Sequence, residues 1–362
     1  MNIGQLLEGK EICVVAGSGG VGKTTTSASI AIGMAARGHR VAVLTIDPAK
    51  RLADSLGLSE LGTELSEVDP ALFTAEGIDF AGELHAAMLD PKRTFDELIE
   101  SHAPDRETYE KILDNRIYQE LSNAVAGSQE YMAMEKLLEL HEQGDFDLLV
   151  LDTPPSRNAL DFLDAPKRLA RFIEGRSLRL FLAPGRFGLR IAGRGGSLLF
   201  GALKRVTGID LLKDLSEFFG NFADMASGFS ERAQRVDELL HGQDTTFVLV
   251  CSPEHEPADE AIFLRRRLRE LKLPFGGAIV NKVRPAYHRA RKKLPDAIPE
   301  DLAARVMENY ERQRLLGRRD AENVARLEKS LGADKVVQVP LFGDDIHGVE
   351  GLVNMVDQLF PE

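Results

Sequence analysis

Ile12-Cys13-Val14-Val15-Ala16-Gly17-Ser18-Gly19-Gly20-Val21-Gly22-Lys23-Thr24 is the stretch that decides the fold. Its first five residues are apolar and largely β-branched, as in a buried strand. They run into a glycine-rich turn, and Thr25-Thr26-Ser27-Ala28-Ser29-Ile30-Ala31-Ile32-Gly33-Met34 follows as a helical pattern. Strand, glycine loop and helix form the context in which G-x-x-x-x-G-K-[ST] holds nucleotide phosphate. Gly17, Gly19, Gly20 and Gly22 let backbone N–H groups turn inward with no Cβ in the way. The helix adds the positive end of its dipole. The phosphate cradle is therefore expected to be Gly17, Ser18, Gly19, Gly20, Val21, Gly22, Lys23, Thr24 and Thr25. Lys23 reaches the β- and γ-phosphates, and the Thr24 hydroxyl faces Mg²⁺.

Outward from that loop, short apolar runs recur between helical patterns. They are Val41–Ile46, Phe146–Leu151, Thr246–Cys251, Ala278–Val280 and Val336–Val339, with a weaker one near Leu72–Ala75. Continuous rather than alternating apolarity marks strands covered on both faces. The expected fold is therefore α/β: a P-loop NTPase with a mostly parallel, doubly wound sheet flanked by helices, plus a helical insertion subdomain. The expected division is 1–160 as the first part of the core, 161–241 as the helical subdomain and 242–362 as the second part. Within the first part, residues 79–142 read as helices.

Ligands of such sheets sit beyond the carboxyl ends of the strands, where two acids fall. Asp47, in Leu44-Thr45-Ile46-Asp47-Pro48-Ala49, either faces the γ-phosphate and orients the attacking water or forms an Asp-Pro turn. Asp152 closes Leu148-Leu149-Val150-Leu151-Asp152, the strand-plus-acid pattern that supports a Mg²⁺ shell. Thr24, Asp47 and Asp152 are thus the metal-side candidates, and Lys23 and Asp47 the catalytic ones.

The composition restricts the alternatives. A net charge of −12 argues against general nucleic-acid binding. No apolar run approaches the ~18–20 residues of a membrane span, and the N-terminal residues lack the pattern of a signal peptide, so a cytoplasmic protein is expected. The two cysteines, Cys13 and Cys251, each lie inside an apolar run and form no C-x-x-C pair for zinc.

These motifs resemble those of the deviant Walker A ATPases, and within them the ArsA-like anion-transporting ATPase family, which includes the eukaryotic targeting ATPase for tail-anchored membrane proteins. The resemblance rests on Gly17–Thr25, Asp47-Pro48-Ala49 and Asp152-Thr153-Pro154-Pro155. Gly277-Ala278-Ile279-Val280-Asn281-Lys282 and Val339-Pro340-Leu341-Phe342-Gly343 extend it. It implies ATP and Mg²⁺ as ligands, Asn281 as the base-reading side chain, and Pro340 and Leu341 beside the adenine. It implies a dimer closing on two ATP molecules, with Asp47 activating water and Asp152 in the second switch. Two departures stand out. Ser18 occupies the position where the family carries a lysine that crosses the dimer interface, and Ser156-Arg157-Asn158 replaces the usual Thr-Gly-His. The zinc-binding cysteine pair of the targeting branch is absent, so no zinc is expected.

Residues 167–205 carry ten basic residues against one acid, and residues 172–229 hold eight of the eighteen phenylalanines. Leu211, Leu212, Leu215, Phe218, Phe219, Phe222 and Met225 recur at helical spacing. That face either packs on the core or a dimer mate, or forms a groove for an apolar helix, with the basic loop meeting acidic headgroups or client flanks. The expectation is an ATPase switch, acting as a homodimer or with an ArsA-like paralogue, for a hydrophobic or membrane-associated client. A metalloid pump motor and a nucleotide-binding scaffold with weak hydrolysis are the alternatives.

Overall fold

A computed structural model describes residues 2–46, 51–58, 61–116, 118–119, 128–153, 225–286, 299–343, 346 and 348–361. They fall into two compact units. The first comprises Met1–Leu89, Leu140–Leu160 and Leu240–Glu362, and the second Asp90–Glu139 and Asp161–Leu239.

The first unit is built on eight strands: β1 Ile12–Ala16, β2 Arg40–Thr45, β3 Ser66–Glu67, β4 Glu83–Met88, β5 Leu148–Asp152, β6 Thr245–Cys251, β7 Phe275–Val283 and β8 Val336–Pro340. They form one sheet in the order β3-β4-β2-β5-β1-β6-β7-β8. Every pairing is parallel except β3 with β4. The expected α/β fold is therefore the observed one.

Helices α1 Ile3–Leu7, α2 Lys23–Ala35, α3 Arg51–Ser55 and α4 Ala71–Thr74 belong to the first unit. Helices α5 Pro91–His102 and α6 Arg106–Leu113 belong to the second. They are followed by α7 Ser128–Gln143, α8 Ala226–His241, α9 His255–Glu270, α10 Glu300–Leu331 and α11 Gly348–Leu359. Cys13, Val15, Val41, Val43, Val150, Val248 and Ile279 share one core with α1, α2, α3 and α11. The alternate residues Ile12, Val14, Leu149, Leu151, Leu249 and Ala278 are equally buried. Both faces of the sheet are covered, which is why the strands read as continuous apolar runs rather than as alternation.

Two local expectations are corrected. Leu72–Ala75 is not a strand, because Pro70 caps the short helix α4 there. The strand lies instead at Glu83–Met88, inside the segment read as helical, and pairs along all of β2. Glu, Leu, Ala and Met are strong helix formers in isolation, but ladder pairing and burial override that weak preference.

In the second unit, Leu98, Ile99, Ile112, Tyr118, Tyr131, Met132, Met225, Phe229 and Ala233 form a separate core. The buried Glu135 carboxylate accepts from Tyr131 Oη at 3.0 Å and from Arg232 Nε at 2.6 Å, so a charge inside this core is paired rather than stranded. Met225 and Phe229 are core residues here, not part of an open groove. The rest of the Phe-rich block and the basic stretch lie outside the described residues, as do Asp47 and the segment Pro154–Asn158.

Candidate functional site: a phosphate loop at the sheet edge

The loop Gly17–Gly22 leaves β1 at the centre of the sheet and enters α2 at Lys23. Its glycines are demanded by contact. A Cβ on Gly17 would lie 2.0 Å from the Val250 carbonyl oxygen of β6. Gly22 has φ +92°, and a Cβ there would lie 2.4 Å from Asn281 Nδ2. At Gly17 the obstacle is fixed backbone, and at Gly22 the left-handed backbone strains any residue with a Cβ.

Lys23 is 6% exposed, and its Nζ donates to the Ser18 carbonyl oxygen at 2.9 Å. The ammonium thus curls back over the loop it would serve. Thr24 Oγ1 donates to Asp152 Oδ2 at 2.7 Å. That bond joins the first turn of α2 to the end of β5, and it places two of the three metal-side residues named from the sequence within one hydrogen bond. A hydroxyl and a carboxylate are hard oxygen donors of the kind Mg²⁺ takes together with substrate phosphates, so the residues present fit that ion and a nucleotide triphosphate.

Two further side chains hold Asp152, and sequence reasoning missed both. Thr45 Oγ1 of β2 donates to Asp152 Oδ2 at 3.0 Å, and Ser27 Oγ of α2 approaches Oδ1 at 3.4 Å. Thr45 is the register partner of Asp152 in the parallel β2–β5 pair. Its position two residues before Asp47 was the one available signal. Thr153 Oγ1 donates to the Val15 carbonyl oxygen at 2.8 Å, tying the residue after Asp152 to β1.

Asn281, at the end of β7, donates from Nδ2 to the Val21 carbonyl oxygen at 2.9 Å and accepts at Oδ1 from the Lys282 N–H at 2.9 Å. One amide N–H and one oxygen lone pair remain for another partner. Lys282 Nζ donates to the Gly20 carbonyl oxygen at 3.0 Å. On the neighbouring strand, Pro340 pairs with Val283, and the Leu341 side chain is exposed just beyond. The structure therefore brings Asn281, Pro340 and Leu341 to the same sheet edge as the phosphate loop.

Ser18 supplies no charge here. Its hydroxyl is buried without a hydrogen bond of good geometry. It does lie close enough to Glu260 of α9 to help hold that carboxyl down, with Lys23 doing the same more strongly. Burial is the larger effect and raises the Glu260 carboxyl above its ordinary range. Cys13 and Cys251 are both buried free thiols, and burial pushes each up to about 12.

A mostly parallel sheet with this loop on its central strand is the fold of a P-loop nucleotide-binding protein. A profile of the anion-transporting ATPase family matches residues 10–361, and the chain belongs to that family. ATP hydrolysis is its chemistry. Similar proteins include the ATPase get3 of Schizosaccharomyces pombe, 26% identical over 349 residues, covering 95% of this chain and 89% of that protein. The ATPase get3 of Aspergillus terreus is 25% identical over 347 residues, with 95% and 89% covered. The ATPase GET3 of Rhodotorula glutinis is 29% identical over 270 residues, covering 74% of this chain and 69% of its own.

Proposed function

We propose that the protein is a Mg²⁺-dependent, ATP-driven switch that works as a dimer and couples nucleotide state to a hydrophobic or membrane-associated client. The Thr24–Asp152 hydrogen bond at 2.7 Å carries the reading. It links the phosphate-binding helix to the residue that opens the Thr153-Pro154-Pro155 segment, so phosphate occupancy is felt where the second switch begins. Thr24 and Asp152 would hold Mg²⁺, which when bound neutralises charge on the phosphates. Asp47, following β2, would orient the attacking water, and the two free valences of Asn281 would read the base edge beside Pro340 and Leu341.

The client assignment is supported by the family's tail-anchored-protein branch and by the sequence spacing of Leu211, Leu212, Leu215, Phe218, Phe219 and Phe222, which is that of an amphipathic helix. Among the described residues no helix is long and apolar enough to cross a membrane. A metalloid pump is disfavoured by a specific observation. Such a motor needs accessible thiolates, whereas Cys13 and Cys251 are buried and their thiols lie near 12. The dimer mate is either a second copy or a paralogue carrying lysine where this chain has Ser18.

The test is photo-crosslinking of purified protein to a 20-residue apolar helical peptide, ~30 Å long, with ATP, with ADP and without nucleotide. Capture that changes with nucleotide in the wild type, and no longer does so in Lys23→Ala, is expected. Equal capture in all states would overturn the coupling, and native mass determination showing a monomer with ATP and Mg²⁺ would overturn the dimer.

A further inference from the structure

Among the described residues, two that are not glycine have a left-handed backbone: Lys272 and Lys282. Lys272 is accounted for by its place. It closes α9, with the Leu273 N–H bonding back to the Leu268 carbonyl at 2.8 Å and the Lys272 N–H to that of Arg269 at 3.2 Å, the usual way a helix ends. Lys282 has no such reason. It lies inside β7 with φ +61°, where the pairing with β8 slips between Val280 and Val283. Sparsely populated backbone states persist where the surroundings over-determine them, often at ligand sites, and a bulge can re-aim a side chain.

The break has a visible result. Successive side chains of a regular strand point to opposite faces. Here Asn281 and Lys282 both reach the same loop, and they take consecutive carbonyls of it, those of Val21 and Gly20. In a trans peptide the C=O and the N–H of one unit point in opposite directions. Holding the Gly20 carbonyl outward therefore turns the Val21 N–H the other way, and holding the Val21 carbonyl does the same for the Gly22 N–H. The two side chains grip the outside of the loop and set the direction of the inside donors. Of the two, Lys282 alone is charged, and it is exposed at the loop's rim.

We propose that Lys282 is a positioning residue of the phosphate site, which holds the Gly20–Val21 peptide in its binding orientation and provides, from within this chain, the rim cation that Ser18 does not. This rests on the reading of Gly17–Thr24 as the phosphate loop.

Lys282→Gly is the informative variant, because glycine accepts φ +61° without strain and the backbone break survives while the ammonium is lost. ATP and ADP affinities are measured by calorimetry alongside the melting temperature. The expected result is ATP affinity weakened about tenfold or more, the scale of one charged hydrogen bond, with the melting temperature unchanged or raised. Lys282→Arg should keep most of the affinity. Wild-type affinity in Lys282→Gly would overturn the proposal. So would weakened binding accompanied by a lower melting temperature, which would make Lys282 merely structural. Wild-type protein that binds no ATP would instead remove the phosphate-loop reading itself.

Discussion

Thr45→Val tests whether the hydroxyl cluster around Asp152 builds the metal side of the site. Thr45 and Asp152 are 2% and 1% exposed, and their bond is 3.0 Å long. Valine nearly matches threonine in shape, so the substitution removes a donor without opening a cavity. A hydrogen bond to a charged group contributes ~1.5–3 kcal/mol net. In a unit of this size that lowers the melting temperature by roughly 3–12 °C. Asp152 keeps the Thr24 and Ser27 hydroxyls, so the carboxylate is loosened rather than abandoned. Groups that orient a metal-side carboxylate typically change metal affinity ~10–100-fold, and the Mg²⁺ concentration giving half-maximal ATP affinity should rise accordingly. Nucleotide affinity without Mg²⁺ should barely change, and Thr45→Ser should restore both properties. The assays are thermal unfolding by circular dichroism and Mg²⁺ titration of ATP binding. A Thr45→Val protein with the wild-type melting temperature and Mg²⁺ dependence would refute the role given to Thr45.

Gly22→Ala should abolish nucleotide binding, since the Cβ would meet Asn281 Nδ2 at 2.4 Å in a left-handed backbone; calorimetry showing intact ATP affinity would count against the loop geometry. Asp47→Asn should keep ATP bound while slowing hydrolysis ~10²–10⁴-fold, and a near-normal phosphate-release rate would reduce Asp47 to a turn residue. The thiols of Cys13 and Cys251 sit near 12. At pH 8 only ~10⁻⁴ of either is thiolate, the reactive form. Both should resist a disulfide-exchange reagent in the native protein and react on denaturation, and rapid native labelling would contradict their burial.

Some of this was legible because it is local. The loop Gly17–Thr24 is contiguous, and its glycines, lysine and threonine each answer to a requirement of backbone or phosphate that operates over a few residues. The buried parallel strands announce themselves as apolar runs for the same reason, since each residue meets its own layer of helix. Asp152 could be singled out by its place at a strand end, and Asn281 through the resemblance of its segment to that of the family. Their partners could not. Thr45 meets Asp152 because β2 and β5 pair side by side across more than a hundred residues, and no local pattern carries that register. The misplaced strand at Glu83–Met88 has the same origin, because composition favours a helix and a neighbouring ladder decides otherwise. Met225 belongs to an apolar face whose periodicity leaves packing and a groove both open, and its partners Leu98, Ile99, Ile112 and Tyr118 lie more than a hundred positions earlier. Lys282 is the sharpest case. Nothing in Val280-Asn281-Lys282-Val283 shows that the chain turns left-handed there. That conformation accompanies the reach of its ammonium to the Gly20 carbonyl, 262 residues earlier in the chain.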